Sequence, residues 1–192
     1  MNKLSRVFVQ GALALTAACA LLAFGRDQSA QAKPAIPSRV ADSVARGRYM
    51  VMVTGCNDCH SPKMAPGSMQ PDPSRLLSGR SVTTPAPAKP ANMGEITASG
   101  DLTAWYGPWG VSYAANLTPD PKTGIGRRYD EASFIRAMRT GRKPEGTSLL
   151  PPMPWPDFAQ LTDQDLKDIW TYLRTLHSVV NPVNAAGPSK AR

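Results

Sequence analysis

Histidine and cysteine are scarce in this 192-residue chain, with two His and three Cys. Cys19 lies in an apolar run near the N-terminus, which leaves Cys56, Cys59, His60 and His177 for the rest of the chain. A zinc site here would need two further ligands, and only His177 and carboxylates are on offer. No βαβ pattern surrounds the Cys pair, which argues against a thioredoxin-like redox motif. Aromatic residues are only 7% of the chain. They are not interleaved with the basic residues, so the net charge of +8 does not point to nucleic acid. No second long apolar run follows the first, and there is no internal repeat.

What is present is concentrated in Cys56-Asn57-Asp58-Cys59-His60. This is Cys-x-x-Cys-His, the attachment signature of a c-type haem. Two thiols on one helical turn can each add to a vinyl group of one porphyrin. The adjacent imidazole then faces the iron, and neutral imidazole binds iron well. A structural disulfide between Cys56 and Cys59 would leave His60 unexplained. The motif therefore predicts one covalent haem c, with Cys56 and Cys59 as thioethers and His60 as the proximal ligand.

The N-terminus supplies the compartment. Lys3 and Arg6 precede an apolar stretch from Val7 to Phe24, and Ala30-Gln31-Ala32 offers a small-residue cleavage site. Residues 1–32 read as a secretory signal peptide, cleaved before Lys33. The rival is an uncleaved anchor on the periplasmic face of the inner membrane, since the run is about long enough to span a bilayer. Either way the haem domain is exported, and the periplasm is the expected location. Cleavage removes Lys3, Arg6, Arg26 and Asp27, lowering the net charge from +8 to +6. Residues 33–192 suffice for one domain with its own core.

The domain reads as helical at both ends and irregular between. Ser38 to about Val53 predicts a helix, with Val40, Val44, Gly47 and Val51 near one face. Gly47 lowers helix propensity, and its use would be close approach by another helix. Residues 61–128 are rich in Pro, Gly, Ser and Thr and form an irregular insert. Within it, Trp105, Tyr106, Trp109 and Tyr113 suggest partial packing, as a short β-hairpin or a flap. Asp130 predicts an N-cap for a helix over 131–140, ended by Gly141, with Phe134, Ile135 and Met138 on its apolar face. Thr162 predicts another N-cap, with Leu161 and Leu166 as a hydrophobic staple. Leu166, Ile169, Trp170, Leu173 and Leu176 then follow helical spacing to about His177. A flexible tail is expected from about residue 181.

These features together resemble a class I cytochrome c domain across about 38–178. Gly47 and Tyr49 match the small and aromatic positions of the family's first helix. Trp170 and Tyr172 match the aromatic part of its last. The resemblance implies a mainly α, cytochrome c-like fold, with N- and C-terminal helices packed around one covalent haem. The segments Asn116-Leu117-Thr118-Pro119-Asp120-Pro121-Lys122-Thr123-Gly124-Ile125-Gly126, Phe134 to Gly141 and Pro152-Met153-Pro154-Trp155 carry a closer likeness. They are similar to haem domains of multihaem cytochrome subunits of periplasmic alcohol and gluconate dehydrogenases. Those subunits carry three such domains, whereas this chain has one haem motif.

An electron-transfer site needs a sixth iron ligand, and Met153 is the best candidate. It sits between the last two predicted helices with prolines on both sides, which stiffen the loop. The resemblance points to the same residue. Met64, Met69 and Met93, in the insert, stay open as alternatives. A core-filling role for Met153 is the ordinary one for the residue type. His177 competes as a ligand, but at the end of a helix it also complements the dipole. Arg127, Arg128, Arg136, Arg139, Arg142 and Lys143 precede the Met loop. Arg127 or Arg128 could pair a haem propionate, and the others could steer an acidic redox partner. The expected function is single-electron transfer between protein partners, not enzymatic turnover. The alternatives are a fixed subunit of a membrane-associated dehydrogenase complex or a gas-binding or peroxidatic haem protein.

Overall fold

The computed structural model describes residues 39–183 apart from Pro66 and Met93. The signal segment, the expected cleavage site before Lys33, Met93 and residues 184–192 lie outside the described residues. The described part is mostly helical with one small sheet. Helix α1 is Arg39–Val53, α2 Cys56–His60, α3 Ile125–Arg128, α4 Glu131–Thr140, α5 Trp155–Phe158 and α6 Asp163–Thr175. Strands β1 (Thr97–Ala98), β2 (Ala104–Gly107) and β3 (Gly110–Tyr113) pair antiparallel in that order.

Local chemistry starts and stops the long helices. Asp130 accepts from Ser133 N at 2.8 Å, and Ser133 Oγ accepts from Asp130 N at 3.0 Å, a reciprocal cap. Gly141 ends α4 at φ 65°, where a side chain would be strained and a Cβ would lie 2.4 Å from the Trp155 ring. Thr162 Oγ1 accepts from Asp165 N at 3.1 Å to start α6. Leu166 is fully buried and Leu161 packs on the same core, as the staple predicts.

Helices α1 and α6 pack against each other, and Gly47 is where they meet. An added Cβ there would sit 1.9 Å from the Asp168 carbonyl oxygen. Polar groups flank the contact. Ser43 Oγ donates to Asp168, Gln164 Nε2 donates to the same carboxylate at 2.8 Å, and Arg46 pairs with Asp165 at 2.8 Å. The core joins Met50 and Val51 of α1 to Leu166, Ile169, Trp170, Tyr172 and Leu173 of α6, with Leu77, Ile125 and Phe134.

The insert's aromatic residues do mark a short hairpin, in which β2 pairs with β3 and Ala104 and Ser112 are buried. Tyr49 is exposed and lies beneath the Arg46 guanidinium at 5.7 Å. Two details differ from the sequence reading. Val40 is exposed rather than packed. Helix α6 stops at Thr175, two residues before His177. Side chains of the 116–123 loop draw the chain off the helix axis there. Asn116 Nδ2 donates to Val179 O at 2.8 Å, Val179 N to Thr118 Oγ1 at 3.2 Å and Asn181 N to Thr123 Oγ1 at 2.9 Å. Residues 181–183 are thereby held by the domain rather than leaving it.

Candidate haem site

The turn Thr54-Gly55 breaks α1 and starts α2, which carries Cys56, Cys59 and His60 on one short helical segment. Lys63 fastens the end of α2: its buried Nζ donates to Asp58 O at 2.6 Å and Ser61 O at 2.9 Å. His60 O accepts from Gly79 N at 2.7 Å. Both thiols are unpaired, and burial pushes each above its ordinary pKa.

His60 Nδ1 lies 2.8 Å from Ala115 O. A carbonyl can only accept, so Nδ1 carries the proton and Nε2 keeps its lone pair. Burial pushes the imidazole pKa below its ordinary value, against the raising effect of the Ala115 contact, and so favours this neutral tautomer. A neutral ring with one nitrogen tied to a carbonyl is the arrangement that orients a metal-binding histidine.

His60 faces two adjoining cavities of about 210 and 310 Å³. Cys59, His60, Trp105, Phe134, Met138 and Met153 line both. Cys56, Leu166, Ile169 and Leu173 line the second, so α6 supplies its apolar floor. Met153 is half-buried. A turn from Leu150 O to Met153 N, 3.2 Å, holds it on one side and α5 holds it on the other. The cavity walls are apolar where a porphyrin's hydrocarbon would lie. The donor set of paired thiols, a neutral imidazole and a thioether suits haem iron. The residues present fit the group.

The other sequence candidates fall in different places. Met64 and Met69 are exposed, at 57% and 62%, and neither lines these cavities. His177 is exposed beyond the end of α6. Arg128 and Lys143 line the first cavity, and Lys143 Nζ is 3.8 Å from Glu145. Arg127 is exposed and donates to Lys122 O at 3.2 Å, while Arg136 and Arg142 are exposed on the surface. Arg139 is tied internally, to Ala159 O and at 2.6 Å to Asp163. The hairpin contributes Trp105 and Tyr113 to the cavity walls, whereas Tyr106 and Trp109 do not line them. Ala115 carried no signal in the sequence, because its contribution is a backbone carbonyl. Val183, at the end of the post-α6 segment, also lines the first cavity. Among the described residues there is no cluster of three or more His, Cys, Asp or Glu that could hold a metal on its own, and no helix is long and apolar enough to cross a membrane.

The fold and this site are in keeping with a c-type cytochrome, and the relatives place the chain in that haem c family. Comparison with known proteins gives the particular likeness. The chain is 30% identical over 169 residues, 88% of its length, to the fructose dehydrogenase cytochrome subunit of Gluconobacter japonicus. It is 31% identical over 136 residues, 71% of its length, to the gluconate 2-dehydrogenase cytochrome c subunit of Pantoea cypripedii. A shorter match, 42% over 72 residues or 38% of the chain, is to the cytochrome c subunit of a quinone-type alcohol dehydrogenase of Gluconacetobacter polyoxogenes. The chain spans only 28%, 23% and 15% of the length of these three relatives. No protein-family model matches it.

Proposed function

We propose that this chain is an exported carrier of single electrons with one haem c, bound through Cys56 and Cys59 and ligated by His60 and Met153. The observation that carries this reading is the shared lining: His60 and Met153 border the same two cavities, with the paired thiols beside them. The single Cys-x-x-Cys-His motif supports one haem per chain. When bound, haem c supplies a one-electron Fe(III)/Fe(II) couple. The residues of the chain do the rest. Burial keeps the His60 imidazole neutral, the Ala115 carbonyl orients it, Met153 offers a soft sulfur, and Phe134, Ile169 and Leu173 exclude water. A Met ligand also argues against a gas-binding or peroxidatic role, which needs an open iron position.

Residues 1–32 direct export to the periplasm and are removed before Lys33; retention would instead anchor the domain to the inner membrane. Redox proteins with acidic docking surfaces are the partners. Arg127, Arg128, Arg136 and Lys143 supply the attracting charge, or pair a propionate where they reach the cavity.

A second reading has its own support. The matched relatives are subunits of dehydrogenases, and the insert exposes Met64, Met69, Val82 and Ile96, each by more than half. Exposed apolar side chains of this size suit a fixed electron-transfer subunit better than a diffusing carrier.

Mass spectrometry and optical spectra of the exported protein test the main reading. One haem should survive acid-acetone extraction, and the ferric form should show the weak near-infrared sulfur-to-iron band. Haem that extracts freely, or a ferric spectrum without that band, rejects the corresponding half of the assignment. Co-purification with a dehydrogenase subunit at high salt favours the second reading.

A further inference from the structure

We propose that Ser112, on the insert's hairpin, is a positioning residue for Met153, and that the short segment from Ser112 to Ala115 ties the loops of both candidate ligands together. The inference rests on the His60/Met153 ligation proposed above. Ser112 is 7% exposed, and its Oγ donates to Pro151 O at 2.6 Å, two residues before Met153. Trp109 Nε1 donates to the same Oγ at 3.4 Å, so the hydroxyl is held from behind. Three residues on from Ser112, Ala115 O receives the His60 imidazole.

The stretch between these contacts is fastened along its length. Trp105 is the β-sheet partner of Ser112, and Trp105 lines both cavities. Ala114 N donates to Thr103 O at 2.9 Å, and Arg80 N donates to Ala114 O at 3.0 Å. A strand tied this way cannot shift at one end without disturbing the other. The insert thereby spans from the loop of one candidate ligand to the hydrogen-bond acceptor of the other.

The loop's remaining ties explain why one hydroxyl would matter. Leu149 N reaches Gly141 O at 2.7 Å and Met153 N reaches Leu150 O at 3.2 Å. Both are bonds to the loop itself or to its own helix α4, so Ser112 is the contact that registers the loop against the opposite wall. Its loss should make the sulfur easier to displace from iron without removing it. One neutral hydrogen bond corresponds to a change of about tenfold in such an equilibrium or rate.

The test uses the exported holoprotein and displacement of the sulfur by imidazole, followed at the near-infrared band. Ser112→Ala should speed displacement about tenfold with the resting band retained. The pair Ser112→Thr and Ser112→Val separates hydroxyl from shape, because the two side chains are nearly isosteric. Thr should stay close to wild type and Val should behave as Ala. Ser99→Ala is the control, since Ser99 supports the hairpin through Asp101 and Ala104 and does not touch the Met loop. Equal displacement rates in the Thr and Val variants, or equal acceleration by Ser99→Ala, would overturn the proposal. Failure of the underlying ligand reading appears elsewhere: Met153→Ala would then keep the band, and the Ser112 proposal would fall with it.

Discussion

Replacing Gly47 by Ala is the perturbation whose magnitude the structure defines best. The new Cβ would stand 1.9 Å from Asp168 O, 2.5 Å from Asp168 C and 2.8 Å from Tyr172 Cβ. A carbon and a carbonyl oxygen come no closer than roughly 3.3 Å without strain. Two of the three obstacles are backbone atoms, so rotamer changes cannot relieve the clash. Helix α6 must move away from α1 by roughly 1.4 Å to restore that distance. A gap of about 0.5–1 Å already forfeits a quarter to a half of the dispersion well between facing atoms. Overpacking costs about 1–3 kcal/mol, and a clash against backbone that forces a whole helix to move belongs in the upper half, about 2–3 kcal/mol. The gain in helix propensity from Gly to Ala is about 1 kcal/mol and opposes it. The net expectation is about 1–2 kcal/mol of destabilisation, or a melting temperature lower by roughly 2–8 °C. Urea and thermal unfolding of the haem-loaded protein measure it. Ala45→Gly, on the exposed side of the same helix, calibrates the propensity contribution alone. A Gly47→Ala protein as stable as wild type, or more stable, would refute the close crossing and the packing argument built on it.

Met153→Ala should abolish the sulfur-to-iron band, lower the reduction potential and open the iron to cyanide or carbon monoxide, whereas His177→Ala should change none of these; redox titration and ligand binding decide. Met153→His should keep a six-coordinate iron at a lower potential, read in the same titration. Charge reversal at exposed Arg128 and Arg136 should slow electron transfer to an acidic partner at low salt, with the difference fading as screening shortens from about 10 Å at 0.1 M to about 3 Å at 1 M. Rates that stay equal at every salt concentration would reduce the cluster to a solvated face. Hydrogen bonds from Arg46 and Thr162 hold the Asp165 carboxyl below its ordinary range. A depressed folded value adds stability above the unfolded pKa of about 3.9 and loses it as pH falls through the folded value. Asp165→Asn should therefore be less stable than wild type at neutral pH, with the gap closing in acid; urea midpoints that differ equally at pH 7 and pH 3 would contradict this.

Much of the fold was legible along the chain because its signals are local. Asp130, Gly141 and Thr162 bracket α4 and start α6 through contacts within a few residues. The Cys-x-x-Cys-His spacing is likewise a property of one helical turn, and it named the cofactor before any packing was known. Gly47 announced a close approach, though not its partner. The Pro-flanked loop and the resemblance both pointed to Met153, while Tyr49, matched to the family's aromatic position, is exposed.

What the linear order could not carry is everything made by residues distant in sequence. The acceptor for His60 lies 55 residues downstream and is a carbonyl, a group every residue possesses. The Met loop meets its Ser112 partner across 39 residues. Asn116, Thr118 and Thr123 look like loop polarity until α6 ends beside them and they take up the backbone that follows. Sequence alone pointed to the cofactor chemistry and to the capped helix ends at Asp130, Gly141 and Thr162, since both depend on side chains within a turn of one another. Tertiary structure decided which tautomer His60 adopts, which methionines share its cavities and which residues the insert brings against them. Those depend on backbone groups and cavity walls that exist only once α1, α6 and the hairpin have closed around the same space.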